Sequence, residues 1–460
     1  MMNKNIINII LFSCILFLAG CKKFLDVSPS TESVNPLKIK DFQEMLNNDS
    51  LSVGNYFLLD LASDDVYLPN TVLKGVDNYY LRTYLWKVTI WNPADVDYMY
   101  NSAYTRILQM NIILSRVNTA PADSLNTIEN RSNVISQSLI NRAWFYLQLA
   151  NIYGVAYNTA TAAKDLAVPL VLLPDASAKP ARASVKDVYY QVIGDLKSAV
   201  NNPYLPSQGQ DIIHPGKAAA YALLSRAYLY MANYDSASVY ADSSLALVSA
   251  LQNYRSGYSA PTQLLDLKTN PEILLGKVSY EQNFFSTYSS SIQLSSSLTP
   301  YMSYFDYRYF YRFNGYNYKT TTYNSITTIF TDNSVGVPEV MLTKAECLAR
   351  KGDADGAAVL INNISSNRQR FYSPITDYDA SNILDFVLAE RRRELFYHGG
   401  MRLFDLKRLN MEDKYKLDLV RKDDDSTVIA TLPAGSSRYI FPFPQTVLSN
   451  NPNIVQNVRE

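Results

Sequence analysis

Apolar positions recur at spacings of three and four over much of this chain, which predicts a mostly helical protein. In Asp97–Val117 the series is Tyr100, Tyr104, Ile107, Asn111 and Leu114. In Asn133–Tyr153 it includes Ile140, Ala143, Trp144 and Leu147, with Gly154 as a stop. Ser184 is placed to cap a helix over Val185–Val200, whose stripe is Val188, Val192, Leu196 and Val200. Its partner is Pro215–Met231. Two further stretches, Tyr234–Leu245 and Glu339–Ile364, repeat the helical period, the latter with a Gly352-Asp353 turn.

Ala222, Ala227, Ala237 and Ala241 sit where neighbouring backbones would approach closely, and Tyr228, Tyr234 and Tyr240 flank them. Small crossings filled in by aromatics fit a degenerate tetratricopeptide-type repeat. Four such helix pairs are expected, over about 97–154, 184–250 (two overlapping pairs) and 339–364. Between the last two, residues 282–331 are rich in Ser, Thr, Tyr and Phe and predict loops and short strands. Leu166–Leu173 and Arg438–Pro444 read as isolated extended pieces. Nothing resembles a linker, so 37–460 reads as one domain.

The N-terminus is different. Lys4 precedes an apolar run, Ile6–Leu18, and then Ala19, Gly20 and Cys21. A basic start, a short apolar core and small residues before Cys make residues 1–20 a lipoprotein signal peptide. Cys21 would carry the lipid, and residues 21–36 would be the tether. The apolar run is too short to span a bilayer. Several acyl chains on one residue anchor a protein far better than one.

Composition narrows the function. Lys plus Arg and Asp plus Glu are 42 each, so no basic excess exists to displace counterions from a nucleic acid. Cys14 leaves with the signal and Cys21 is lipidated, so only Cys347 remains and no internal disulfide can form. Cys347 reads as a small buried hydrophobe. With two histidines far apart, a zinc site or His-dependent triad is not expected, and neither cofactor nor metal is called for. Gly209…Gly216-Lys217 has the wrong spacing for a phosphate loop. Asp353-Ala354-Asp355-Gly356 lacks the distal Glu of a calcium loop. Glu390 and Glu394 could serve a glycosidase, but Arg391, Arg392 and Arg393 beside them favour ion pairs. The 36 tyrosines suit surfaces that bind flat-faced polar ligands as well as they suit packed helices.

Several motifs together resemble those of the SusD/RagB nutrient-uptake lipoproteins of Bacteroidota. They are Cys21-Lys22-Lys23-Phe24-Leu25-Asp26, Arg142-Ala143-Trp144-Phe145-Tyr146-Leu147, Ala389-Glu390-Arg391-Arg392-Arg393-Glu394-Leu395, Gly399-Gly400-Met401-Arg402-Leu403-Phe404-Asp405 and Phe441-Pro442-Phe443-Pro444-Gln445. His398 and Tyr100 depart from the usual acidic residue and Trp. The resemblance implies four tetratricopeptide units on an irregular half, an outer-membrane, surface-exposed location, and a SusC-like TonB-dependent transporter as partner. It implies a non-catalytic binder of oligosaccharide or another nutrient. A peptide binder on the same scaffold and a surface glycosidase are the alternatives. It also places the ligand site in segments 64–91 and 282–317. There Trp86 or Trp91 with Tyr304 or Tyr307 would stack on sugar rings. Tyr80 would line the site, and Asp65 and Arg82 would take hydroxyls. Alanine at both Trp86 and Trp91 is expected to abolish binding without unfolding the protein.

Overall fold

Side-chain caps at Asp97, Thr127, Ser184, Asn233 and Asp353 open five of the helices. The computed structural model describes residues 35–255, 267–280, 291–303, 305–314, 317–318, 321–323 and 326–460. The signal peptide, Cys21 and Tyr304 lie outside the described residues. Asp97 accepts from Tyr100 N at 3.1 Å and opens α1 (Tyr98–Arg116). Thr127 accepts from Asn130 N, so α2 (Ile128–Tyr153) begins five residues before the apolar period does. Ser184 caps α3 (Val185–Val200), as its sequence context predicts. After α4 (Lys217–Tyr230), Asn233 caps α5 (Tyr234–Leu245). Next come α6 (Val337–Arg350) and α7 (Ala354–Arg368). Asp353, from the discarded calcium-loop pattern, accepts from Gly356 N as the cap of α7. Each cap satisfies an end-of-helix N–H that otherwise has no partner.

The last helices are α8 (Ile383–Glu394) and α9 (Met401–Leu409). From α1 to α7 each helix packs on the next, and α8 packs on both α6 and α7. The sequence pattern used α4 in two pairs. The structure instead supplies α8 as the eighth repeat helix, whose mean hydropathy is low because its buried face carries Glu390, Arg391, Arg392 and Glu394.

The irregular half consists of short strands. One sheet has the order 53–54, 278–280, 326–332, 321–323, and a second 66–67, 293–294, 317–318, 313–314. A hairpin, Leu419–Lys422 with Val428–Leu432, was not legible in the sequence because its inward alternation is Leu419 then Arg421. One buried apolar cluster runs from Tyr56 to Ile454 and takes side chains from both halves. Gly400, at φ +87°, closes the α8–α9 turn against Leu59, whose Cβ lies 2.5 Å from where a Cβ on Gly400 would stand. Only glycine fits that approach.

Candidate functional site

The structure brings part of the two predicted segments together. Val66–Tyr67 pairs antiparallel with Gln293–Leu294. Ser295 N donates to Asp65 O at 2.9 Å, and Ser297 Oγ donates to Asp64 O at 2.7 Å. The carboxylates at this junction are occupied. Arg392 donates Nε to Asp65 at 2.8 Å and Nη2 to Asp64 at 3.0 Å, and Arg402 Nε reaches Asp64 at 2.7 Å. Burial pushes the Asp65 carboxyl up, while Arg402 and Arg392 outweigh burial at Asp64 and hold it well down. Asp65 is therefore a buried structural ion-pair member, not the hydroxyl partner that its segment suggested.

Trp86 also departs from expectation. It is 1% exposed, its Nε1 donates to Ala62 O at 2.7 Å, and the Arg421 guanidinium lies 4.5 Å from its ring centre. A ring enclosed in this way cannot stack on a ligand, and the expectation that its removal spares the fold is corrected. Tyr307, at the start of the helix Tyr307–Arg312, does not line the cleft that Trp91 lines.

Trp91 and Arg82 do come together, and Tyr80 joins them through Tyr79; neither Tyr80 nor Arg82 lines the cleft itself. Arg82, on the helix Tyr79–Tyr84, donates Nη1 to Ile90 O at 2.6 Å and to Asn92 Oδ1 at 3.1 Å. It thus clamps the residues on both sides of Trp91 and acts as a positioning residue. Trp91 Nε1 donates to Pro442 O at 2.8 Å, which fixes the indole plane. Tyr79 lies 5.3 Å from the Trp91 ring and 4.2 Å from Tyr80. Trp91 is 7% exposed and lines a cleft of about 570 Å³ together with Asn92, Pro442, Gln445, Asn457 and Arg459. An indole face with planar amides beside it can stack on a pyranose ring and exchange hydrogen bonds with its hydroxyls.

A second aromatic surface was missed. Phe305 is 48% exposed and Phe371 66%, and their rings meet edge to face at 5.0 Å. The backbone joins them: Arg370 N donates to Phe305 O, and Asp306 bridges Gln369. Phe371 follows α7 and belongs to no sequence motif, so only the pairing reveals it.

The carboxylate pair Glu390 and Glu394 accepts from one atom, Arg308 Nη1, at 2.7 Å each. Burial would raise the Glu394 carboxyl, but Arg368 and Arg308 hold it down at about 2. Neither group is tuned as a general acid near neutrality. Cys347 is buried, and desolvation pushes its thiol up to about 12. Among the described residues no cluster of His, Cys, Asp and Glu could hold a metal ion, and no helix is long and apolar enough to cross a membrane.

Two family models match the chain. One, SusD-like_3, described as starch-binding and associating with the outer membrane, matches residues 23–229. The SusD family model matches residues 275–459. By sequence the chain matches no curated protein. Among solved structures, one named as a putative sugar binding protein from Bacteroides vulgatus ATCC 8482 is similar at a TM-score of 0.73 and 21% identity, over 92% of this chain and 99% of that one. A SusD superfamily protein from Bacteroides thetaiotaomicron VPI-5482 is similar at 0.72 and 22%, over 92% and 100%. A SusD-like carbohydrate-binding protein from Bacteroides fragilis NCTC 9343 is similar at 0.65 and 16%, over 90% and 98%.

Proposed function

Since the chain belongs to the SusD/RagB family, we propose that it is a non-catalytic, lipid-anchored binder that captures oligosaccharides at the cell surface and delivers them to a TonB-dependent transporter of the SusC type. The observation that carries the glycan reading is the Trp91 cleft. Its indole is fixed in orientation by Pro442 and Arg82, and amides stand beside it. A preformed aromatic face limits the ordering cost of binding a sugar ring. The tight Arg–carboxylate pairing of Glu390 and Glu394 supports binding over hydrolysis. Cys21, as the lipidated residue, would hold the protein on the outer membrane.

The test is calorimetric titration of the chain beginning after Cys21 with a panel of neutral and acidic oligosaccharides. Saturable heat that is lost in Trp91→Ala supports the reading. Heat continuing at a constant rate would mean turnover and defeat it. Silence toward every glycan, with peptide binding instead, would favour a peptide binder on the same scaffold.

A further inference from the structure

Among the described residues, Arg459 is the charged residue lining the Trp91 cleft, and no carboxylate lines it. It is 8% exposed. Its Nη1 donates to Val88 O at 3.2 Å and its Nη2 to Arg438 O at 3.1 Å, while the buried Nε has no partner among the described residues. Arg438 is held in the same way, by Trp86 O at 3.2 Å and Thr431 O at 3.3 Å, and its Nε is also unpartnered. The adjacent acid, Glu460, makes its described hydrogen bond through its backbone N to Ser437 Oγ and pairs with neither arginine.

Several interior arginines carry a carboxylate instead: Arg226 pairs with Glu339, Arg308 with Asp306, and Arg408 with Glu346. Arg421 is held, like Arg459, on carbonyl oxygens, those of Val66 and Leu61, but it is enclosed against the Tyr84 and Trp86 rings, whereas Arg459 lines a cleft. A buried cation is ordinarily retained with a counter-charge, because desolvation is costly. Here burial and the nearby Arg438 charge draw the Arg459 pKa down to about 10. Carbonyl dipoles hold the Arg459 and Arg438 guanidiniums in place, and among the described residues neither has a carboxylate partner; Arg459 is the one that lines the open cleft. The cleft wall at Arg459 is therefore positive, and although Nε is buried, Nη1 and Nη2 each keep a second N–H that a carboxylate could accept from.

We propose that the Trp91 cleft takes an acidic glycan, with a uronate carboxylate pairing with Arg459 while a sugar face rests on Trp91. The proposal deepens the glycan-binding reading and rests on it.

The probes are two tetrasaccharides with the same backbone: tetragalacturonate, and its counterpart with each C6 carboxyl reduced to the alcohol. The acid is expected to bind roughly tenfold or more tightly than the neutral chain, the scale of one charge-assisted hydrogen bond. That preference should shrink as NaCl rises from about 50 to about 500 mM. Arg459→Gln should remove the preference and Arg459→Lys should keep part of it, with the melting temperature read for each. If Arg459→Gln does not fold, the Lys variant and the salt dependence decide. Equal affinity for both probes, or a preference untouched in Arg459→Gln, overturns the proposal. Failure of tetragalacturonate to bind while a neutral glycan of the panel does so overturns it and leaves the glycan reading standing. Silence toward every glycan defeats both.

Discussion

Arg392 donates its Nε to Asp65 at 2.8 Å across 327 positions of sequence. The bond ties α8 to the strand Val66–Tyr67 and, through Ser297, to the segment after Gln293–Leu294. Removing one partner of a buried pair leaves an uncompensated charge, and here two carboxylates share the guanidinium. Arg392→Met is expected to cost roughly 3–5 kcal/mol in urea unfolding. A cost below about 1 kcal/mol would show that Arg402 alone satisfies Asp64 and Asp65.

Trp86 and Trp91 separate by role. Trp86 sits at φ +49°, in the left-handed region that a bulky residue rarely occupies, and it is packed against Arg421. Trp86→Ala should destabilise by about 3–5 kcal/mol, as large core truncations do. A melting temperature equal to that of the native chain would contradict the core assignment.

Arg82 should act on ligand affinity through the backbone that it holds. With Arg82→Ala, Ile90 O loses a charged donor and the Trp91 segment its clamp. The expected outcome is a loss of about 1–3 kcal/mol in stability together with weaker binding of any glycan that stacks on Trp91. Calorimetry and thermal melts on the same preparation check both. Unchanged affinity would place the ligand elsewhere.

How much of this was legible depended on where charge sits. The caps Asp97, Ser184, Asn233 and Asp353 are local and bond N–H groups three residues away; the sequence pattern names Ser184 as a cap, reads turns at Asn233 and Asp353, and opens a helical stretch at Asp97. The hairpin Leu419–Leu432 and helix α8 were harder because Arg421, Arg391 and Arg392 face inward, which inverts the apolar pattern. Among site residues, Tyr80, Arg82 and Trp91 converge because they share one short segment. Asp65 and Trp86 lie in the same segment, yet residues far along the chain, Arg392 and Arg421, claim them. No spacing rule reports a partner more than three hundred positions away.

Phe305 and Phe371 offer a cleaner test of a second aromatic surface, since neither is buried. Phe371→Ala should leave stability within about 0.5 kcal/mol. If sugar rings also rest there, the Phe305→Ala/Phe371→Ala pair should weaken glycan affinity by about 0.5–1.5 kcal/mol. Titration with short and long oligosaccharides reads this directly. A loss confined to long chains would mark an outer subsite, and no loss with either would leave the pair a surface feature.

Asp60 gives the chain a pH dependence of predictable sign. Burial raises its carboxyl to about 8, against the opposing pull of the Gly400 N–H, which donates to Oδ1 at 3.0 Å; Oδ2 has no partner. In the unfolded chain an aspartate titrates near 4. Between about pH 4 and 8 the native protein therefore keeps a proton that the unfolded chain has released, and stability falls as pH rises through that window. Asp60→Asn keeps an acceptor for Gly400 and is neutral at every pH. It should flatten the fall between about pH 6 and 8, with a gain on the order of a few kcal/mol at pH 8. Asp97, raised by burial to about 6, adds a slope of the same sign between about pH 4 and 6 in both proteins. Urea unfolding at steps across this range checks the difference, and parallel curves for the two proteins would show that Asp60 is ionised in the fold.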